Sequence, residues 1–270
     1  MISVTVLPRN HENIFYNESR KLTNDKGVIF LEKAICFPSH EMNNTHVFSE
    51  QSLKILDSVM SVTSYKKGAN IFWEGDSADK LFFIVQGRVK LFKSAYDGRD
   101  LVLHYFMDGD LFGSISSLGS TEHSFTATAV SDCSIGVIAE KDLEPLLISN
   151  SSLSFEFMKW NGMMGQFTQI KLRDLIFYGK TGALASTLLR MIHGFSRTEP
   201  DGIHFTISLT NTDLAQLIGS TRETVNRMLQ AWKKDGAIDY YHGSIVIKDL
   251  DYIKAICHCE DKCPLPICRL

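Results

Sequence analysis

The segment 209–236 constrains the fold most strongly, and it reads LTNTDLAQLIGSTRETVNRMLQAWKKDG. Thr210, followed three residues later by Asp213, has the pattern of a helix N-cap, with Asp in place of the usual Glu or Gln. Gly219 permits the left-handed backbone that a tight turn between two helices requires. Thr221, or the serine before it, is expected to cap the next helix. The segment therefore predicts a short helix, a tight turn and a longer helix.

The distribution of side chains over these two helices indicates what they do. The apolar positions are Leu214, Ala215, Leu217, Ile218, Val225, Met228, Leu229 and Trp232. The polar positions at the start of the longer helix are Arg222, Glu223, Asn226 and Arg227. In a helix-turn-helix motif this end enters the major groove, where Arg binds guanine N7 and O6 and Glu accepts from cytosine N4. Lys233 and Lys234 at the far end suit phosphates. The pattern predicts a DNA-binding motif, and the alternative is a helical hairpin with a charged, solvent-exposed face.

Two short β-rich runs follow, Ile238–Tyr241 and Ser244–Ile247, joined by the turn His242-Gly243. They predict a hairpin beside the longer helix, so the domain is expected to be a winged helix whose tip contacts DNA. The net charge of −3 requires a DNA-binding chain of this kind to concentrate its positive charge on one face.

A different pattern occupies residues 62–140, where short β-rich runs alternate with turn signals. Glycines punctuate it at positions 68, 75, 87, 98 and 109. The runs are Ala69–Trp73, Leu81–Val85, Val89–Lys93, Leu101–Phe106 and Ser134–Ile138. Evenly spaced short strands of this kind predict a β-sandwich or jelly roll. A small all-β enzyme would show the same pattern, so function does not follow from it.

A helical period begins near Ser152. Its apolar residues, spaced three or four apart, are Leu153, Phe157, Trp160, Met164, Phe167 and Ile170. A narrow seam like this is typical of a helix that pairs with a second copy, and the alternative is a helix packed on its own β-domain. Asp174 continues the seam, and a solvated residue at a helix end is the simplest interpretation of it. A further helix is expected at 181–195 and a strand at 203–207.

Composition and termini limit the class of protein. A chain of 270 residues with 44% apolar and 22% charged residues has the balance of a globular protein with room for two domains. It contains no apolar run long enough for a membrane-spanning helix. The N-terminus does not resemble a signal peptide, so we expect a cytoplasmic protein. Residues 1–47 show no clear period and are expected to be poorly ordered. The last 14 residues contain Cys257, Cys259, Cys263 and Cys268, a cluster that in a cytosolic protein indicates metal binding or redox sensing.

Taken together, the Gly-punctuated β-region, the long helix and the RETVNR segment of the winged domain resemble the CRP/FNR family over about residues 50–250. The resemblance implies an α+β fold with an N-terminal β-roll (jelly-roll) sensor domain, a long dimerisation helix and a C-terminal winged helix-turn-helix domain. The expected boundaries are 1–47 for the extension, 48–150 for the roll, 151–179 for the dimerisation helix, 180–256 for the winged domain and 257–270 for the tail.

The same resemblance implies a non-enzymatic, homodimeric transcription activator that binds palindromic double-stranded DNA and works with RNA polymerase. The family's base-reading positions correspond to Arg222, Glu223 and Arg227. Enterobacterial FNR proteins usually have E-x-x-S-R, whereas Arg222 matches the CRP pattern and Asn226 replaces its Gly or Ser. A TGTGA-like half-site is therefore expected.

The sensor domain departs from the cyclic-nucleotide pattern of that family. Gly109-Asp110 stands where Gly-Glu is usual, and His123 stands where an arginine would neutralise the phosphate. A buried phosphate without a guanidinium is poorly compensated, so no cyclic nucleotide is expected. Haem held by His104 is an alternative, although a lone histidine in a strand is more often structural.

The tail, C-x-C-x3-C-x4-C, resembles the Gram-positive branch of FNR, in which three cysteines and an aspartate hold a [4Fe–4S] cluster. The resemblance implies Cys259, Cys263, Cys268 and Asp174 as ligands, with Cys257 as a possible replacement because the branch pattern is C-x2-C-x4-C. It thus implies an oxygen-responsive regulator of anaerobic gene expression. Zinc, redox-active thiols and an inert tail are the alternatives for the cysteines. For the whole chain there are two alternatives: a signalling module that binds a protein, and an iron–sulfur enzyme.

Overall fold

The computed structural model describes residues 43–115, 122–207 and 209–259, together with a hairpin of strands β1 (Leu22–Thr23) and β2 (Ile29–Phe30). The hairpin lies in a separate compact unit, Met1–Cys36, and the other described elements belong to the unit Phe37–Leu270. The rest of the predicted extension up to residue 42 lies outside the described residues.

The end of that predicted extension, residues 43–47, packs against the β-roll instead of standing apart from it. Asn44 is fully buried. Its backbone N–H donates to the Asp110 carboxylate at 2.8 Å, and its side-chain amide exchanges hydrogen bonds with the backbone of Leu111 at 2.7 and 2.8 Å. The ordered part of the roll therefore begins before residue 48.

The β-roll is described by one helix and eight strands. These are α1 (Glu50–Ser58), β3 (Ser61–Tyr65), β4 (Asn70–Phe72), β5 (Asp79–Gln86), β6 (Val89–Ser94), β7 (Asp100–Phe106), β8 (Leu111–Ile115), β9 (Thr126–Ala129) and β10 (Cys133–Ala139). Within the described ranges the strands form two antiparallel sheets, in the orders β3-β10-β5-β8 and β4-β9-β6-β7. Phe82, Ile84 and Phe112 are among the buried side chains of their shared core. The predicted jelly roll is confirmed, and Ser49 caps α1 by accepting from the backbone N–H of Ser52.

The long helical region follows the roll. Helix α2 (Glu140–Ser149) was not predicted and contains Pro145. Helix α3 (Ser151–Phe195) is interrupted at Gly179, whose φ of 60° and ψ of −164° are not helical. The interruption divides α3 into a dimerisation helix, residues 151–178, and a second segment, residues 180–195. None of the helices in the described ranges combines the length and apolarity needed to cross a bilayer.

The winged domain contains β11 (Ser196–Glu199), β12 (Gly202–Phe205), α4 (Asn211–Leu217), α5 (Arg222–Lys234), β13 (Ile238–Tyr241), β14 (Ser244–Ile247) and α6 (Leu250–Ile256). Its strands pair in the order β11-β12-β14-β13. Thr210 and Asp213 form the predicted capping box, and Gly219 has a φ of 57°. Leu214, Val225 and Leu229 are fully buried in the core of the domain. The predicted helix-turn-helix and wing are confirmed.

Candidate nucleic-acid interface and metal-binding tail

Helix α5 presents its polar residues to solvent at its N-terminal end. Thr221 caps the helix by accepting from the backbone N–H of Thr224, which fixes where the helix begins. Arg222, Glu223 and Arg227 are exposed, and within the described residues their side chains form no ion pair or hydrogen bond. Their donors and acceptors are therefore available to a ligand outside the chain.

Two other predicted DNA-binding residues have partners within the chain. Asn226 accepts a hydrogen bond from the Asn211 side chain at 3.3 Å. The Lys233 ammonium lies 2.8 Å from the Asp239 carboxylate and over the ring of Tyr240. Lys233 therefore ties α5 to the wing, a role that sequence reasoning missed, while Lys234 beside it is exposed.

The dimerisation helix has two faces, and the predicted seam lies on the one that packs inward. Leu153, Trp160 and Phe167 are each at most 6% exposed, although no second copy is present. The Phe167 ring packs 5.9 Å from His104 of the roll, and Met164 packs against the roll core. The prediction that this seam pairs with a second copy was wrong, because the chain's own β-roll already covers it.

The opposite face is exposed and carries a heptad pattern that sequence reasoning missed. Its positions, spaced alternately three and four apart, are Phe155, Met158, Gly162, Gly165, Gln169, Leu172 and Ile176. The apolar members of this set are 55–68% exposed. A Cβ added at Gly162 or Gly165 would meet nothing within 4 Å. The spacing is that of a coiled-coil contact, and two small residues at its centre permit close approach of a second helix.

Asp174 is buried, so its interpretation as a solvated residue was wrong. It is 1% exposed, and its carboxylate accepts hydrogen bonds from Ser186 Oγ at 2.5 Å and Arg173 Nη2 at 2.8 Å. The guanidinium of Arg190, itself 5% exposed, forms an ion pair with the same carboxylate. Ser186 and Arg190 belong to the second segment of α3, so this network joins that segment to the dimerisation helix.

Lys171 lies one turn before Asp174 and contributes to the same junction. Its side chain is partly buried, and its ammonium group donates to the backbone carbonyl of Leu103 in β7. Burial lowers its pKa to about 7, and the nearby Arg190 guanidinium acts in the same direction, whereas Asp174 opposes the shift. The junction therefore holds the Arg190 guanidinium and the Asp174 carboxylate away from water, with Lys171 partly buried beside them.

The start of the cysteine tail packs against this junction. Cys257 is buried in the core of the winged domain, with Cys259 beside it. The pKa of the Cys257 thiol is raised to about 11, chiefly by burial and also by the negative charges of Cys259 and Asp174. The Asp174 carboxylate therefore lies within electrostatic reach of the Cys257 thiol.

Close backbone packing keeps the tail in this position. A Cβ at Gly182 would lie 3.4 Å from the Ile256 carbonyl and collide with Tyr178. The Tyr178 ring packs 5.2 Å from that of His258. The other two predicted ligands, Cys263 and Cys268, lie outside the described residues. Within the described ranges, no group of three or more His, Cys, Asp or Glu side chains is arranged to hold a metal.

The roll contains a cavity of about 310 Å³ where it meets the dimerisation helix, lined partly by Phe72, His123 and Met164. The His123 ring stacks on Phe72 at 3.7 Å. Burial lowers the pKa of His123, so its imidazole is neutral near pH 7. Asp110, in the position of the usual ribose-binding glutamate, accepts from the backbone N–H groups of Asn44 and Met107. The Asp110 carboxylate is thus bound by the backbone, and a histidine stands in the position of the phosphate-binding arginine.

A β-roll joined by a long helix to a winged helix-turn-helix domain defines a class of DNA-binding regulators with an N-terminal sensor domain. Comparison with known proteins agrees. The family model of the cyclic nucleotide-binding domain matches residues 62–150, and that of the Crp-like helix-turn-helix domain matches residues 182–256.

Several proteins are similar over most of this length. The anaerobic regulatory protein of Bacillus subtilis is 35% identical over 236 residues, covering 87% of this chain and 99% of the relative. A CRP-like cAMP-activated global transcriptional regulator of Mycobacterium tuberculosis is 27% identical, covering 73% and 88%. The structure of a CooA mutant from Carboxydothermus hydrogenoformans has a TM-score of 0.66 at 20% identity, covering 80% and 99%.

The chain belongs to the CRP/FNR family. Members of this family are DNA-binding transcription regulators that dimerise, and they are not enzymes.

Proposed function

We propose that this chain is an oxygen-responsive regulator of anaerobic gene expression that binds a TGTGA-like palindrome as a homodimer carrying a [4Fe–4S] cluster. The observation that carries the proposal is the position of Cys257, with Cys259 beside it, within electrostatic reach of the buried Asp174 carboxylate. The similarity to the anaerobic regulatory protein of Bacillus subtilis supports it.

The donor set suits an iron–sulfur cluster, because thiolates are its usual ligands and a carboxylate is a harder one. Cys259, Cys263, Cys268 and Asp174 would hold the cluster, and Cys257 is the possible replacement ligand. A bound cluster supplies sensitivity to oxygen. Because Asp174 is paired with Arg190 and Ser186 in the described structure, using it as a ligand requires those partners to release or share the carboxylate.

DNA recognition is assigned to the exposed start of α5. Arg222 and Arg227 are proposed to bind guanines, Glu223 to bind cytosine, and Asn226 to lie at the edge of the half-site. Two recognition helices, placed one helical turn or roughly 34 Å apart by pairing through the heptad face, would read the two half-sites. RNA polymerase is the proposed partner of the DNA-bound dimer.

The test compares protein purified without oxygen with the same protein after removal of its metal. Iron and sulfide at about four atoms each per chain, together with tighter binding of the loaded protein to a TGTGA palindrome at one fixed salt concentration, are expected. Ser variants at Cys259, Cys263 and Cys268 should each lower iron content, and Cys257→Ser should have a smaller effect. One zinc per chain, or equal DNA affinities of loaded and metal-free protein, would contradict the proposal.

A further inference from the structure

A second cavity, of about 680 Å³, lies between the β-roll and the winged domain. It is separate from the cavity beside His123, with which it shares no lining residue. Its volume falls in the range of small-molecule sites. Because its walls come from the sensor and the DNA-binding domains, an occupant would contact both.

One wall of this interdomain cleft is cationic. Lys90 follows the buried Val89 in β6, Arg88 directly precedes that strand, and both residues line the cleft. Lys67 adds a third cation from the turn before β4. Within the described part of the chain none of these three side chains forms an ion pair. Such a group on one wall favours an anionic occupant.

Hydroxyl groups lie next to the cations on the same wall. Lys90 pairs in register with Tyr105 of β7 and with Thr128 of β9, which places the three side chains in a row across the sheet, about 5 Å apart. Burial, followed by the negative charge of Asp213, raises the pKa of Tyr105 to about 12. Its phenol therefore stays protonated near neutral pH and can donate a hydrogen bond.

The opposite wall is mainly apolar and belongs to the winged domain. Phe195, Ile207 and Leu209 line it. Asp213 is also there, but its carboxylate is bound to the backbone N–H and hydroxyl of Thr210 in the capping box. A cationic wall facing an apolar wall suits a molecule with charged groups at one end and a flat, weakly polar body at the other.

We propose that this interdomain cleft binds a small phosphorylated molecule with a planar body, of the size of a nucleoside diphosphate. The phosphates lie against Arg88, Lys90 and the Tyr105 hydroxyl, and the planar body lies against Phe195 and Leu209. Because the occupant spans the two domains, it changes how the winged domain is held against the roll. The proposal does not depend on the iron–sulfur cluster.

The test uses ADP as the probe, with adenosine and inorganic pyrophosphate as its two halves, measured by titration calorimetry on the full-length dimer at about 0.15 M salt. ADP is expected to bind more tightly than either half. Lys90→Gln and Arg88→Gln should each weaken ADP binding about tenfold or more, and Tyr105→Phe should weaken it several-fold. Lys93→Gln is the matched control, since Lys93 lies in the same strand but pairs with Glu74 at 2.8 Å; it should change affinity less than twofold.

Three results would overturn the proposal. The first is an absence of ADP binding at about 1 mM. The second is an equal effect of Lys90→Gln and Lys93→Gln, which would indicate unspecific attraction. The third is unchanged ADP binding in both cleft variants together with weaker binding to DNA of every sequence, which would assign these cations to the DNA backbone.

Discussion

The two faces of the dimerisation helix share the same helical sequence period, but one face is buried within the chain and the other is exposed. The inward face, with Trp160, Phe167 and Asp174, is covered by the roll and by the second segment of α3. The outward face, with Met158, Leu172 and others, is exposed, and none of the described residues covers it. Both faces are apolar at helical spacing, so periodicity alone does not tell a face that the chain covers itself from one that needs a second molecule.

Helix α5 shows a similar difference between a buried apolar side and an exposed polar side. Its inward side is fully buried at Val225 and Leu229, whereas its outward side carries Arg222 and Glu223 without partners among the described residues. Inward-facing groups find their partners within the fold, and outward-facing groups are left for a second copy or for DNA. Substitutions at inward-facing and at outward-facing residues should therefore have different effects.

The largest effect is expected from placing charges on the outward face of the dimerisation helix. Leu172→Glu combined with Ile176→Glu should give folded monomers, and specific binding to the palindrome should fall roughly 1,000-fold because two linked half-site contacts become one. Sedimentation and DNA titration measure this. Trp160→Glu is the control for the inward face, and it should lower the stability of the chain. If Trp160→Glu gives stable monomers and the outward variant stays dimeric, the assignment of the two faces is reversed.

The next effect concerns the buried ion pair on the inward face. Arg190→Leu should destabilise metal-free protein by about 3 kcal/mol, because it leaves the Asp174 carboxylate buried with fewer partners. Arg173→Leu, whose side chain is 45% exposed, should cost less than about 1 kcal/mol. Urea unfolding measures both, and adding Asp174→Asn to Arg190→Leu should recover part of the loss. Equal effects of the two arginine variants would contradict the role given to Arg190.

A smaller effect is expected at the outward side of α5. Arg222→Ala should cost about 1–3 kcal/mol at a TGTGA-like site and weaken the preference for one guanine. Lys234→Ala should instead weaken all sequences about equally and lower the salt dependence. Equal loss of specific and non-specific binding in Arg222→Ala would reduce its role to a phosphate contact.

The smallest effect is a pH dependence at Lys171. Its pKa is about 7 in the folded protein and about 10.4 in an unfolded chain. Between these values the unfolded state binds more protons, so stability rises with pH, by about 2 kcal/mol from pH 7 to pH 9. Lys171→Met should remove this rise, which urea unfolding at the two pH values measures. An unchanged slope in Lys171→Met would show that another group causes it.

Local signals predicted the winged domain almost completely, since the capping box, the Gly219 turn and the wing depend on residues close in sequence. The strands of the β-roll were harder to predict from the sequence. Strands β3, β8 and β9 were missed because they read SVTSY, LFGSI and TATA, with few apolar residues in alternation. Their pairing is set by neighbours distant in the chain, as the contact of β3 with β10 shows.

The candidate site also has parts that could be predicted from the sequence and parts that could not. The exposed positions of Arg222, Glu223 and Arg227 could be predicted from the helix-turn-helix motif alone. The partners of Asp174 could not be predicted, because Ser186 and Arg190 reach it only after the chain breaks at Gly179 and folds back. The heptad face could have been found, since its alternating spacing is visible in the sequence.

The break at Gly179 has a mechanical consequence. The residue has a left-handed φ and open space around its α-carbon, so neither sterics nor side-chain packing at that point stiffens the joint. The described residues after it include the recognition helix α5, and the Asp174 network holds the two segments of α3 together beside this break. A rotation of a few degrees at this residue would displace the recognition helix by ångströms, so we expect chemical change at the Asp174 network to alter the spacing of two recognition helices.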